Sequence, residues 1–172
     1  MSKNIVLIGM MGAGKTTISK LLSEKLDDMN LVDIDSVIVK LENRSINEIF
    51  KDSGEEYFRN IESGIIESYS IMSDFIISTG GGVCEEPANI ENLKQNGVLF
   101  YLYTSADDIY ARVANDDARP LLKSSNVKLT IEKLLEKRDP LYRLSNYIID
   151  TTDRTPEKIT EEILEKYYGI IG

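Results

Sequence analysis

The chain has no histidine and only one cysteine, Cys84. Without histidine there is no imidazole acid–base chemistry and no His-ligated zinc. A lone cysteine excludes an intramolecular disulfide framework and any multi-cysteine metal site, so the fold does not depend on an oxidising compartment. Basic side chains are also scarce, 20 Lys and Arg against 29 Asp and Glu, for a net charge of −9. That balance argues against a general nucleic-acid binder and against adhesion to anionic membranes. It does not argue against a small anionic ligand, because a few arginines in one cleft override a negative surface. Long apolar runs are missing too. Ile5-Val6-Leu7-Ile8 stops at Gly9, and Val98-Leu99-Phe100-Tyr101-Leu102 is strand-sized, so neither serves as a signal-peptide core or a membrane span. The chain therefore reads as soluble and cytoplasmic.

What is present is one domain's worth of chain: 172 residues, 42% apolar and 28% charged. There is no internal repeat, low-complexity tract or Pro/Ser-rich linker. Short β-like runs alternate with helical patterns, the form of a parallel sheet covered by helices. The strands are expected at Asn4–Gly9, Leu31–Asp33, Phe75–Ser78, Gly97–Leu102 and Tyr147–Asp150. Tyr57, Phe58, Ile61, Ile65 and Tyr69 mark one helix, and Ile131, Leu134 and Leu135 another. Ile159, Ile163, Leu164 and Tyr167 mark the last, with Thr155 as N-cap and Pro156 at the first helical position. Ser45-Ile46-Asn47-Glu48 fits a capping box. Asn115 to Asn126 shows no period and reads as a functional lid or a disordered stretch.

Gly9-Met10-Met11-Gly12-Ala13-Gly14-Lys15-Thr16 fits the phosphate-loop pattern G-x-x-x-x-G-K-[ST], between an apolar strand and a helix. Glycines let backbone N–H groups converge on phosphate oxygens, and the helix N-terminus adds a favourable field. Lys15 would bridge the β- and γ-phosphates, and the Thr16 hydroxyl would hold Mg²⁺. No Asn-Lys-x-Asp guanine element occurs. The strand Phe75-Ile76-Ile77 leads to Ser78 and Thr79 rather than to a carboxylate. Asp33 is the nearest carboxylate at a strand end, with Asp150 as a rival. A small-molecule kinase is the favoured class.

On the acceptor side, Asp33 and Asp35 alternate across a strand end, so a regular strand would point them to opposite sides. Arg59 and Glu62 stand i,i+3 and can pair. Gly80-Gly81-Gly82 follows the third strand at its carboxyl end, where open parallel sheets bind ligands. Six of the 11 glycines lie in this cluster and the phosphate loop, so backbone approaches something closely in both places. Cys84 reads as a small buried hydrophobe. Arg119, in Ala118-Arg119-Pro120-Leu121-Leu122, is suited to delivering positive charge from the lid, and Arg138 to the end of a helix, where the dipole favours a cation.

Taken together, Gly9–Thr17, Asp33-Ile34-Asp35, Gly54-Glu55 with Phe58-Arg59 and Glu62, Gly80-Gly81-Gly82, Arg119-Pro120-Leu121-Leu122, and Arg138 with Pro140 and Tyr142 resemble the shikimate kinase family, essentially end to end. The resemblance implies a P-loop kinase fold like that of nucleoside monophosphate kinases: an α/β domain with a five-stranded parallel sheet in the order 2-3-1-4-5, flanked by helices, with a mobile lid. It divides the single domain 1–172 into a core (1–32, 75–111 and 140–172), an acceptor-binding segment (about 33–62) and a lid (about 112–126). The implied reaction transfers the γ-phosphate of ATP, with Mg²⁺, to the 3-hydroxyl of shikimate, on the route to chorismate and the aromatic amino acids.

Carried over by position, Gly12, Ala13, Gly14, Lys15, Thr16 and Thr17 would hold the nucleotide phosphates. Arg112 and Arg154 would flank adenine, and Arg119 would reach the phosphates. Asp35 would bind the acceptor hydroxyls and is the candidate proton acceptor. Arg59 and Arg138 would clamp the carboxylate, with Gly80, Gly81 and Gly82 beside it and Phe50 and Phe58 on the apolar side. Asp33, with Thr16, would serve the metal. The acidic Asn115-Asp116-Asp117 departs from what suits a lid over ATP and is expected to face solvent. The resemblance also implies a monomer, without nucleic-acid or membrane partners. The alternatives are another small-molecule kinase of this fold, of the gluconate type, and a non-catalytic ATP-binding regulator.

Overall fold

A computed structural model describes residues 3–113 and 126–171. Five strands form one sheet: β1 (Asn4–Ile8), β2 (Asn30–Asp33), β3 (Phe75–Ser78), β4 (Gly97–Tyr103) and β5 (Tyr147–Asp150). All pairings are parallel and the spatial order is β2-β3-β1-β4-β5, as the resemblance implies. Alternation sorts the central strands onto two faces. Ile5 and Leu7 of β1, with Val98, Phe100 and Leu102 of β4, join one apolar cluster, whereas Val6 and Ile8, with Leu99 and Tyr101, join the other. Both faces are buried, which is why these strands read as unbroken apolar runs rather than alternating ones.

The helices α1 (Lys15–Lys25) and α8 (Pro156–Ile171) cover the first face through Ile18, Leu22, Ile159, Ile163 and Tyr167. The second face carries α2 (Ile34–Glu42), α3 (Ile46–Ser53), α4 (Glu55–Ser70), α5 (Pro87–Gln95), α6 (Ala106–Val113) and α7 (Val127–Tyr142), which supply Ile38, Ile49, Phe58, Ile66, Ile90, Ile109 and Ile131 to the core. The capping box at α3 is complete: Ser45 accepts from the Glu48 N–H, and the Glu48 carboxylate accepts from the Ser45 N–H. Among the described residues no helix is long and apolar enough to cross a membrane.

Several expectations need correction. β1 ends at Ile8, because Gly9 already turns into the loop with φ 144°. β2 begins one residue early, at Asn30, and β4 runs one residue further, to Tyr103. Asp33 and Asp35 do not alternate along a strand. Asp33 caps α2, its carboxylate accepting from the Ser36 N–H at 2.9 Å, and Asp35 lies in that helix's first turn. Local capping ends the strand before a pleat can place both carboxylates. Arg138 does not end its helix either, since α7 continues through Pro140 to Tyr142. The short helices α2, α5 and α6 lie outside the stretches marked by periodicity; α2, for example, buries only Ile34 and Ile38.

Candidate active site

The loop from Gly9 to Gly14, the first turns of α1 and α2, α4, the glycine run after β3 and the end of α7 surround one cleft of about 740 Å³ at the carboxyl edge of the sheet. This is where an open parallel sheet gathers loops from several strands. Gly12, Ala13, Gly14, Lys15, Thr16, Thr17, Arg112 and Arg154 all line it. So do Asp33, Asp35, Phe50, Phe58, Arg59, Gly80, Gly81, Gly82 and Arg138. Arg119 lies outside the described residues, as do Asn115, Asp116, Asp117 and most of the expected lid.

At the loop end, Gly14 sits in the left-handed region (φ 93°) and caps α1 with backbone alone, so no side chain occupies the helix N-terminus. Its amides are left to whatever anion docks there. Lys15 is buried and its Nζ donates to the carbonyls of Gly9 at 2.7 Å and Met10 at 2.9 Å. Thr16 and Thr17 are exposed to the cleft. Arg112 donates to the Gly12 carbonyl at 3.1 Å, and Arg154 pairs with Glu162 at 2.6 Å.

At the other end, side chains dominate. Arg59 bonds Glu62 at 2.7 Å, the expected i,i+3 pair, and Glu55 at 3.1 Å, and its guanidinium lies 5.2 Å from the Phe58 ring centre. Phe58 in turn packs on Phe50, ring centres 4.9 Å apart. A Cβ at Gly82 would fall inside the Arg59 guanidinium, so a side chain there would push that head group from its place between Glu55 and Glu62. Asp35 Oδ1 and Glu62 Oε1 converge before Gly80, each 2.8 Å from where a Cβ would stand. Burial raises the Glu62 carboxyl above its ordinary value against the pull of Arg59, and Asp35 adds to the rise.

Arg138 is only 2% exposed. Its Nε donates to Glu85 Oε1 at 2.7 Å, and its Nη2 lies 2.5 Å from the same oxygen. Tyr142, fully buried, donates its hydroxyl to the Gly81 carbonyl and so fixes the middle of the glycine run. Cys84 is buried as expected, and burial pushes its thiol up to about 11, far from a thiolate nucleophile.

Glu85 and Lys137, which stand behind Arg138, carry no signal in the sequence. Glu85 stands 53 positions from Arg138, and no periodic signal connects them. Tyr142 is marked in sequence only by the family pattern, and its bond to Gly81 spans 61 positions.

For Mg²⁺, the donors at hand are the exposed Thr16 hydroxyl and the half-buried Asp33 carboxylate, both of which line the cleft. One hydroxyl and one carboxylate fit a cation that takes its remaining ligands from phosphates and water.

A family model described as shikimate kinase matches residues 11–168. A shikimate kinase of Caldicellulosiruptor bescii is 45% identical over 162 residues, 94% of either chain. One from Thermodesulfovibrio yellowstonii is 43% identical over 165 residues, 96% of this chain and 95% of that one. Among solved structures, the shikimate kinase from Acinetobacter baumannii in complex with shikimate superposes with a TM-score of 0.93 at 35% identity, covering 98% of this chain and 94% of that one.

Proposed function

The chain belongs to the shikimate kinase family, and from that premise we propose that it phosphorylates the 3-hydroxyl of shikimate with ATP through the residues gathered in this cleft. The product, shikimate 3-phosphate, lies on the route to chorismate and the aromatic amino acids. The observation that carries the assignment of roles is the pairing, in one cleft, of a phosphate loop with two arginines and an aspartate set among glycines. Two guanidinium groups suit a carboxylate, and an aspartate suits vicinal hydroxyls. A polyhydroxy acid needs both.

In this reading the amides of Gly12, Ala13 and Gly14, with Lys15, Thr16 and Thr17, hold the nucleotide's phosphates. Arg112 and Arg154 flank the adenine. Arg59 and Arg138 grip the acceptor's carboxylate, and Gly80, Gly81 and Gly82 admit it closely. Phe50 and Phe58 exclude water from the ring's apolar side. Asp35 accepts a hydrogen bond from the reacting hydroxyl and takes its proton as the oxygen attacks the γ-phosphorus. The bond from that phosphorus to the β,γ-bridging oxygen breaks, and ADP leaves. The transition state of such transfers is loose, so positioning and charge neutralisation count for more than base strength. Mg²⁺, held from the protein side by Thr16 and Asp33, would neutralise charge on the β- and γ-phosphates. Arg119 would add positive charge from the segment 112–126, the lid of a single domain whose core is 1–32, 75–111 and 140–172 and whose acceptor-binding segment is 33–62. The same reading makes the chain a cytoplasmic monomer that uses neither nucleic acid nor membrane.

The test is ADP release from Mg-ATP by the purified protein, with shikimate, gluconate or AMP as acceptor. Stimulation by shikimate alone is expected. Stimulation by gluconate would keep the phosphate loop and overturn the roles of Asp35, Arg59 and Arg138. ATP binding with no stimulation by any acceptor would make the chain a regulator.

A further inference from the structure

Arg138 is almost fully enclosed, and Glu85, side chain 20% exposed, stands directly against it. A guanidinium carries five N–H donors: one on Nε and two on each terminal nitrogen. Glu85 Oε1 takes the Nε side and one Nη2 position, at 2.7 and 2.5 Å. The Nη1 end points towards Met10 Sδ, at 3.8 Å, and towards Gly81, where a Cβ would lie 3.8 Å away. Glu85 thus occupies the side-on edge and leaves the end of the fork facing the glycine run. Its second oxygen accepts from Lys137 Nζ at 2.5 Å, and the Lys137 side chain is 61% exposed. Burial works against ionisation of Glu85, yet the bonds from Lys137 and Arg138 hold its carboxyl below the ordinary value.

We infer that Glu85 sets the affinity for the acceptor's carboxylate, presenting Arg138 end-on while neutralising it, with Lys137 drawing off part of that neutralisation. The inference rests on the reading of Arg138 as an acceptor-carboxylate ligand. An enclosed guanidinium needs a counter-charge, because one left without a partner is strongly unfavourable. With Glu85 already present, an arriving carboxylate shares the charge instead of supplying it. Remove the charge but keep the oxygen, and the acceptor becomes the principal counter-ion. Neutralise Lys137, and Glu85 turns wholly to Arg138.

The two substitutions therefore move binding in opposite directions. The measurement is the Kd of shikimate by calorimetry for the wild type, Glu85→Gln, Lys137→Met and Arg138→Ala, repeated with the neutral amide of shikimate. Glu85→Gln is expected to tighten shikimate binding by about three- to tenfold, the scale of coupling between partly exposed charged groups. Its carbonyl still accepts from Nε, so Arg138 keeps its orientation. Lys137→Met, at a side chain 61% exposed, is expected to weaken binding about twofold. Neither change should alter binding of the neutral amide. In turnover the effect falls on the KM for shikimate rather than on kcat, since the carboxylate contact is equal in ground and transition states. Unchanged or weaker binding by Glu85→Gln, or tighter binding by Lys137→Met, overturns the inference. If Glu85→Gln does not fold, the direction of the Lys137→Met effect decides alone. Wild-type affinity in Arg138→Ala would instead remove the reading on which the inference rests. Loss of binding there, with no response at Glu85 or Lys137, sinks the inference only.

Discussion

The two ends of the cleft are built on different principles. The nucleotide end is mostly backbone: a continuous loop from Gly9 to Gly14, a helix start capped by a left-handed glycine, and Lys15 folded onto the loop's own carbonyls. The acceptor end is mostly side chains drawn from distant parts of the chain, with Asp35 on α2, Arg59 and Glu62 on α4 and Arg138 on α7, backed by Glu85 after β3 and Tyr142 on α7. Charge differs as well. Arg59 is met by Glu55 and Glu62, and Arg138 by Glu85, so the acceptor end is compensated before any ligand arrives. A backbone cradle recognises a shape common to all nucleotide phosphates, whereas a balanced set of charges is sensitive to each member.

Substitutions can break that contrast. The largest effect is expected for Lys15→Ala, which removes the one side-chain cation of the loop and should lower kcat about 10³-fold with the fold intact. Asp35→Asn should follow, at about 10²-fold or more, because the amide cannot take the acceptor's proton. Steady-state kinetics with circular dichroism checks both, and near-normal turnover in either variant would remove the role assigned. Arg59→Ala and Arg138→Ala should each cost about 2 kcal/mol of transition-state binding for shikimate. An acceptor without the carboxylate should be indifferent to them, and equal sensitivity would refute the clamp. A smaller effect belongs to Tyr142→Phe, which deletes the hydroxyl donated to the Gly81 carbonyl. The loss should be about 1 kcal/mol, a few degrees in a thermal melt. An unchanged midpoint together with unchanged shikimate KM would show that the glycine run holds its shape unaided.

The same contrast explains what could be read from sequence. The phosphate loop is contiguous, so its chemistry and its strand–loop–helix setting were both visible in Gly9 to Thr16. The Arg59–Glu62 pair was legible because helical spacing brings i and i+3 together. The sheet order came with the family resemblance, and the strands came from apolar runs that two-sided burial makes continuous. The placement of Asp35 is not legible from the strand's alternation, because the Asp33 side chain accepts from the Ser36 amide and starts a helix there. Glu85 with Arg138, and Tyr142 with Gly81, are pairings of the folded chain across 53 and 61 positions, and no local pattern carries them.

The smallest effect concerns Glu62, and it tests whether the acceptor end is as balanced as its ion pairs suggest. Glu62 is fully buried, and its Oε1 has no hydrogen-bond partner among the described residues. Burial, reinforced by Asp35, outweighs Arg59 and leaves the carboxyl raised from its ordinary value. A raised carboxyl favours the folded state in its protonated form, so its stabilising contribution is complete below the ordinary carboxylate range. It is lost as pH climbs through the raised value. Glu62→Gln keeps an oxygen for Arg59 and cannot ionise, so it escapes that loss. The melting-temperature difference, variant minus wild type, should therefore be more positive at about pH 8 than at about pH 5. A difference that shrinks with rising pH would mean that Arg59 outweighs burial, and that Glu62 is a stabilising ion-pair partner rather than a carboxylate held at a cost to keep the clamp in place.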